Sequence, residues 1–97
     1  MRLLVLPAAR ADLLGIRRFG LRRWGAAQAD AYAHKLRSRL EALASGLLSG
    51  TSAEGRAAGM RRLVAESHVV WFRVEGGRVL IVRVLHQSQD PGRHLGP

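Results

Sequence analysis

Residues 81–95 decide the fold and read Ile-Val-Arg-Val-Leu-His-Gln-Ser-Gln-Asp-Pro-Gly-Arg-His-Leu. The opening part, 81–85, is almost wholly apolar, and its β-branched and leucine side chains suit a pleated, packed surface. It therefore predicts a buried strand. The residues that follow predict a loop, so that 87–97 form a polar C-terminal tail. A buried strand that ends in this tail would deliver polar groups to one surface, where a site can form.

Three further segments predict strands. Gly76 and Gly77 separate the last two strands, and glycine adopts the positive φ values that a tight hairpin turn needs. Those two strands should therefore be antiparallel neighbours. Near the N-terminus, a short apolar run that Pro7 stops predicts the first strand. The predicted strands comprise residues 3–6, 61–65, 69–74 and 78–85.

Two helices are predicted between the first strand and the other three. Residues 8–23 carry apolar side chains at helical spacing, and Asp12 in the first turn suits the positive end of the helix dipole. Gly25 predicts a break, and residues 26–44 then form a second helix with an apolar stripe on one face. Helices joined so tightly form an antiparallel hairpin. The stripe comprises Ala29, Tyr32, Leu36, Leu40, Leu43 and Leu47.

Residues 45–59 predict a loop, because they are rich in glycine and serine. No repeat or linker divides the chain, so residues 1–97 should form one domain around a shared core. The predicted class is α+β, with an N-terminal strand, an α-helical hairpin and then a three-stranded antiparallel sheet.

Charge is the strongest feature of the composition. Sixteen Lys and Arg residues face seven Asp and Glu residues, which gives a formal net charge of +9, and Lys35 is the sole lysine. Arginine pairs bidentately with carboxylate and phosphate groups. The expected partner is therefore polyanionic, either nucleic acid or an acidic protein segment.

The chain contains no cysteine, which suits a reducing compartment. The apolar N-terminal run is too short for a signal core or a membrane span. A cytoplasmic protein with no membrane association is therefore expected.

Acid–base chemistry has few candidates in this sequence. Cleavage of RNA requires a base, an acid and cations for the phosphate, and His86, His68, Arg83 and Arg61 could supply them. Strand alternation, however, places Arg83 with Leu85 on one face and His86 with Val82 and Val84 on the other, unless the strand bends. A structural or partner-contact role for these residues is the alternative.

Metal and cofactor sites are not predicted. His86, Asp90 and His94 recur at intervals of four, but Pro91-Gly92 opposes the helix that would align them as ligands. Trp24 and Trp71 could stack on nucleic-acid bases. Trp71, however, lies in an apolar strand and is expected in the core, and Trp24 is expected to pack at the corner between the helices.

Several segments, taken in their order and spacing, resemble the ParE branch of the RelE/ParE superfamily of bacterial toxins. Together these segments span nearly the whole chain. They are Ala11-Asp12-Leu13 and Ile16; Trp24-Gly25, Gln28-Ala29 and Tyr32; Gly55-Arg56 and Gly59-Met60-Arg61; residues 68–72 and 81–86; and Asp90 and His94-Leu95.

The resemblance implies a helical hairpin on a small antiparallel sheet. It also implies a cognate ParD-like antitoxin, acidic where it grips the toxin, in a hetero-oligomer with it. ParE proteins are associated with poisoning DNA gyrase, whereas the RelE branch cleaves messenger RNA on the ribosome. This sequence lacks the lysine-rich cluster and C-terminal tyrosine of RelE-like enzymes, which favours a gyrase inhibitor over a catalyst. A RelE-like endoribonuclease is the alternative.

The resemblance provides no agreed catalytic residues to carry over, so contact residues are inferred from charge and position. Arg83 could instead be a structural strand residue that pairs with Glu66 or Glu75. The residues expected to contact the target or the antitoxin are Arg61, Arg62, Arg83, His86, Arg93 and His94.

Overall fold

The computed structural model describes residues 1–53, 55 and 59–95. Arg56, part of the resemblance, lies outside these residues, as do positions 54, 57 and 58 of the predicted loop and 96–97 of the tail. No helix in the described ranges has the length and apolar character needed to cross a membrane. In chain order the elements are β1 (Arg2–Val5), α1 (Pro7–Trp24), α2 (Ala26–Ser45), β2 (Thr51–Ser52), β3 (Arg61–Ala65), β4 (His68–Glu75), β5 (Arg78–His86) and α3 (Pro91–Leu95).

The strands form one five-stranded sheet in the order β1-β5-β4-β3-β2. The predicted α+β class and the three antiparallel strands β3, β4 and β5 are confirmed. Two details differ from the prediction. The first strand joins the same sheet and runs parallel to β5, which makes the sheet mixed. A short strand, β2, also lies within the predicted loop and pairs with the start of β3.

The helical hairpin turns at a single glycine. Pro7 occupies the first turn of α1, where its missing N–H costs nothing. At the corner, Gly25 has φ 90°, and its N–H donates to the Leu21 carbonyl while its own carbonyl accepts from Ala29 N–H. Gly20 lets the helices approach closely, because a Cβ at this position would lie 3.2 Å from the Ala29 Cβ.

The main core lies between the hairpin and one face of the sheet, which we call the inner face. The stripe of α2 points into it as predicted, and its members Leu36, Leu40 and Leu43 are each at most 5% exposed. Leu47 does not belong to the stripe and is 83% exposed. The reason is that Gly46 adopts a left-handed conformation and ends α2. The helical period therefore no longer applies to residues after Gly46.

A smaller core, the outer cluster, covers the opposite face of the sheet. It contains Trp71, whose predicted burial is confirmed, and Leu95 of α3 packs against it. The prediction of a structureless tail is therefore wrong over 91–95. Asp90 begins α3, since its carboxylate accepts the Gly92 N–H at 2.9 Å, and proline is favourable in the first turn. The outer cluster comprises Ala53, Met60, Val69, Trp71 and Leu85, with Val82 and Leu95 packed against them.

Leu40→Ala should destabilise the domain by about 2–5 kcal/mol, because it leaves a cavity in the main core. At about 4–8 °C per kcal/mol for a domain of this size, the melting temperature should fall by roughly 10 °C or more. Thermal unfolding followed by circular dichroism measures the change. Leu47→Ala is the matched control and should stay within about 0.5 kcal/mol of the parent protein, since its side chain is exposed. Equal melting curves for the two variants would contradict the placement of the stripe.

Candidate functional site

A β-bulge in β5 determines which side chains reach each face of the sheet. Ile81 pairs with Phe72 of β4, and Arg83 pairs with the adjacent Trp71, so that Val82 is an extra residue without a partner on β4. The alternation assumed from the sequence is therefore wrong at this point. Val82 packs with the outer cluster, whereas Val84 belongs to the main core. A bulge changes the phase of a strand and can re-aim a neighbouring side chain.

Arg83 forms a two-pronged ion pair with Asp12 of α1. Its Nε lies 2.7 Å from Asp12 Oδ2, and its Nη2 lies 2.8 Å from Oδ1. Both side chains are largely shielded, at 20% and 14% exposure. The hydrogen bond to Asp12 raises the pKa of Arg83 above its ordinary value, although burial opposes this. The pairing of Arg83 with Glu66 or Glu75, considered from the sequence, is wrong.

The same carboxylate completes the hydrogen bonding of β5. The β1 ladder ends with Val5 opposite Ile81, so the N–H of Val84 lies beyond it. Asp12 Oδ2 accepts that N–H at 2.9 Å and so substitutes for a strand carbonyl. Asp12 lies in the second turn of α1, not in the first, and its role is to join the helix to the sheet rather than to stabilise the helix dipole.

Arg83 also holds the C-terminal helix. Its Nη1 donates to the His94 carbonyl at 3.2 Å, while Leu95 packs on the outer cluster. One guanidinium therefore connects α1, β5 and α3. Arg83 acts in the described structure as an internal joint, and its loss should loosen the fold at three elements.

His68 and His86 meet on the inner face beside α2. They pair across β4 and β5, and their ring centroids are 5.3 Å apart in a T-shaped arrangement. The hydroxyl of Tyr32 lies 2.6 Å from His68 Nδ1 and accepts the Ser67 N–H at 3.1 Å. The structure thus brings together the two predicted histidines, while the Arg83 guanidinium is engaged by Asp12.

The hydrogen bonds of each neutral ring indicate which of its two nitrogens carries the proton. At His86, Nδ1 accepts the Ser88 N–H at 3.1 Å and contacts the Ser88 hydroxyl at 2.8 Å, so a neutral ring carries its proton on Nε2. At His68, the phenol of Tyr32 is the better donor and the imidazole nitrogen the better acceptor, which again places the proton on Nε2.

The pKa of His68 lies below its ordinary value of 6.5. Burial is the largest cause, and repulsion from His86 adds to it, while the negative charge of Asp12 opposes it. His68 is therefore neutral near pH 7. The two rings together present two N–H donors rather than the donor and acceptor that proton transfer between them requires.

These histidines line a cleft of about 520 Å³ between α1, α2 and the end of the sheet. Three aromatic rings form one wall. Phe19 and Trp24 have centroids 5.8 Å apart, and Trp24 and Tyr32 have centroids 6.1 Å apart. Trp24 lies at the corner of the hairpin as expected, yet it is 47% exposed. We call this the histidine cleft; it is lined by Ala11, Asp12, Gly15, Ile16, Phe19, Trp24, Tyr32, Ser67, His68, Val84, His86 and Gln89.

The remaining predicted contact residues lie elsewhere. Arg61 holds the segment before β2, because its guanidinium donates to the carbonyls of Ser49 and Gly50. Arg62 lies over the Trp71 ring at 5.5 Å, on the outer side of the sheet. Arg93 is 84% exposed on α3. The His94 ring lies 3.5 Å from the Gln89 amide.

Sequence reasoning missed three members of this region as functional residues. Asp12 was assigned to the helix dipole, Tyr32 to packing alone, and Gln89 to the tail. A signal existed for Asp12, which is the sole acidic residue in α1 and lies among several arginines. In the described part of the chain, no group of three His, Asp or Glu side chains is arranged to hold a metal ion.

A second cavity, the hairpin groove, has a volume of about 480 Å³ and is mainly apolar. It lies along α1 and α2 and reaches β1. Leu14 on its wall is 51% exposed. Charged residues at the groove are Arg10, Arg17, Arg37 and Glu41, and Arg17 also pairs with Asp30 at 2.6 Å.

Comparisons with known proteins identify the class. Residues 3–91 match the sequence profile of the ParE toxin of the type II toxin-antitoxin system, parDE. The chain is 46% identical over 88 residues to Toxin ParE1 of Caulobacter vibrioides, with 91% of each chain covered. It is 38% identical over 95 residues to Toxin ParE1 of Mycobacterium tuberculosis, with 97% of each covered.

The fold is also found among solved structures. A chain of the "Chromosomal ParDE TA system from P. aeruginosa" matches with a TM-score of 0.76 and 24% identity, over 89% of this chain and 95% of that one. The fold and the sequence matches together define a bacterial toxin of the type II toxin–antitoxin class. Within that class, the chain belongs to the ParE toxin family.

Asp12→Asn should lower the free energy of unfolding by about 2–3 kcal/mol, because it weakens a shielded, charge-assisted contact with Arg83. The melting temperature should then fall by roughly 10 °C, measured by differential scanning calorimetry. Asp30→Asn is the control, since the Asp30–Arg17 pair is about half exposed and should contribute no more than about 1 kcal/mol. Equal losses in the two variants would show that the Asp12–Arg83 pair contributes no more to stability than the exposed Asp30–Arg17 pair.

Proposed function

We propose that this protein is a cytoplasmic toxin that inhibits DNA gyrase, and so replication, and that an acidic ParD-like antitoxin neutralises it in a hetero-oligomeric complex. Membership of the ParE family supports the toxin role. The observation that favours inhibition by binding over catalysis is the protonation of the histidine pair. A neutral imidazole with its proton on Nε2 cannot accept another there, so neither ring is ready to act as a base from the cleft.

Exposed arginines on the outer side of the sheet are the proposed gyrase contacts. Among the described residues, the guanidinium of Arg93 has no partner closer than the Asp90 carboxylate, at 3.9 Å, and Arg62 is exposed above Trp71. Arginine in such positions can pair with carboxylate or phosphate groups of a large partner. Arg61, Arg83 and the His94 backbone stabilise the fold around these contacts.

Arg93→Glu should weaken gyrase inhibition by about tenfold or more, as expected for an arginine that anchors an interface. The assay uses purified toxin with gyrase, relaxed or supercoiled plasmid and ATP, and measures lost supercoiling or trapped cleaved DNA. Arg78→Glu is the charge-matched control, because Arg78 is exposed at the opposite end of β5. A point variant is preferable to truncation after His86, which would also remove Leu95 from the outer cluster.

A parallel reaction with programmed ribosomes tests the alternative. Codon-positioned cuts in messenger RNA with unaffected gyrase would overturn the gyrase proposal and favour a RelE-like endoribonuclease. In that case His86 would have to change its protonation from that of the present hydrogen bonds. Unaffected gyrase without cuts would also contradict the proposed target.

The hairpin groove is the proposed seat of the antitoxin. Its apolar floor would bury a partner's apolar side chains, and Arg10, Arg17 and Arg37 at the groove would attract acidic residues beside them. Charge complementarity of this kind raises the association rate, while the apolar contacts supply affinity. The net charge of +9 favours acidic partners over the whole surface.

Leu14→Glu should weaken binding of the antitoxin encoded beside the toxin gene by about tenfold or more, because it places a carboxylate in an apolar groove that faces an acidic partner. Copurification and rescue of growth on co-expression measure the effect. Leu47→Glu adds the same charge at a residue outside the groove and should bind as the parent does. Equal binding by both variants would show that the antitoxin lies elsewhere, and a toxin without affinity for its neighbour's product would contradict the proposed partnership.

A further inference from the structure

The histidine cleft shares Ile16, Trp24 and Tyr32 with the hairpin groove, but its histidines take no part in the proposed gyrase or antitoxin contacts. It combines an aromatic wall with two imidazole N–H donors. Phe19 and Trp24 are 53% and 47% exposed, although they are the kind of side chain that folding normally buries. Within the described residues, no hydrogen bond engages Nε2 of His68 or His86, because both rings make their hydrogen bonds through Nδ1. The cleft therefore offers stacking surface and unused donors together.

The charge inside the cleft argues for a neutral ligand. Asp12 lies in its wall, close enough to His68 to affect the pKa of that ring. Arg83 already pairs with both oxygens of Asp12, and no lysine or arginine among the described residues lines the cleft, so a carboxylate or phosphate placed deep in it would find no cation to pair with. A neutral planar group with hydrogen-bond acceptors would need no such cation, would accept from both donors and would stack on the aromatic wall. The volume of about 520 Å³ is also much larger than a lone carboxylate needs.

The helical period of α1 places positive charge beside the cleft instead. Ala11 and Gly15 line the cleft from α1, and the same ridge of the helix continues at Arg18 and Arg22, because residues at intervals of three and four share one face. Both arginines are exposed. The arrangement separates a neutral interior from a cationic rim, which matches a nucleotide whose base is neutral and whose phosphate is charged.

We propose that the histidine cleft binds an unpaired guanine of single-stranded nucleic acid, with the base against Trp24 and the flanking phosphates on Arg18 and Arg22. Guanine presents two acceptors, N7 and O6, on one edge, whereas adenine presents an acceptor and an amino donor there. Two imidazole N–H groups can donate to both acceptors of guanine, whereas with adenine one of them would face the amino donor. This site is independent of the gyrase proposal, since it uses residues on the inner face and not the arginines of the outer side.

The test measures binding of purified full-length protein to fluorescein-labelled pentamers by anisotropy at fixed salt. DNA and RNA pentamers of thymine or uracil carry guanine, adenine or cytosine at the centre. Guanine should bind at least about tenfold more tightly than adenine, a difference of the size that one good base contact gives. Comparison of the DNA and RNA arms identifies the sugar that the site prefers. Equal affinities for guanine and adenine in both arms would overturn the proposal.

Variants test whether the preference for guanine arises in the histidine cleft. Trp24→Ala should weaken binding by about tenfold, as expected for loss of a stacking platform. His86→Ala should remove the preference for guanine, whereas Arg22→Ala should weaken all pentamers alike and reduce the salt dependence. His34→Ala is the matched histidine control, because His34 is exposed on α2 and does not line the cleft. Circular dichroism confirms that each variant is folded. Retained guanine preference in folded His86→Ala would overturn the assigned donors, and an equal loss in His34→Ala would overturn the site.

Discussion

The fold depends on the contact between the Asp12 carboxylate and the Arg83 guanidinium. The helical hairpin and the sheet are separate layers, and apolar packing between them is not directional. The two short hydrogen bonds of this pair, at 2.7 and 2.8 Å, give the packing a fixed register. The same carboxylate closes the hydrogen bonding of β5 at Val84, and the same guanidinium holds the carbonyl of His94. One charge pair thus contacts three elements, α1, β5 and α3.

β5 serves both cores because its side chains alternate between the two faces of the sheet, and the bulge places Val82 as a further side chain on the outer face. Before the bulge, Val79 and Ile81 belong to the main core. After it, Leu85 enters the outer cluster, while His86 lies beside His68 on the inner face. The strand in this way contributes to the hairpin layer, to the outer cluster and to the histidine cleft at once. Leu95 of the polar tail packs on the outer cluster, which β5 helps to form.

Hydrogen bonding makes both histidines of the pair donors at Nε2. Each ring accepts at Nδ1, from Tyr32 in one case and from Ser88 in the other, so each keeps a donor at Nε2. Burial disfavours the charged form of His68. A pair of neutral donors suits recognition of an acceptor more than transfer of a proton. Two histidines near arginines in a sequence are therefore insufficient to indicate a nuclease.

The sequence by itself determined the class of fold. The apolar period of α2, the glycine turn at Gly76-Gly77 and the apolar run of β5 are local signals, since each is set by the geometry of one element. The excess of arginine likewise determined a preference for polyanionic partners. Trp71 was predictable as a core residue because its neighbours are apolar.

Only the tertiary structure decided the rest. It placed β1 beside β5, paired Arg83 with Asp12 across 71 positions of sequence, and joined Tyr32 to His68. It also placed a bulge at Val82, which changes the face on which this side chain lies. The apolar stripe of α2 ends before Leu47, which is exposed. These contacts depend on how two layers meet, and a side chain's partner in another layer leaves no periodic trace in the sequence around it.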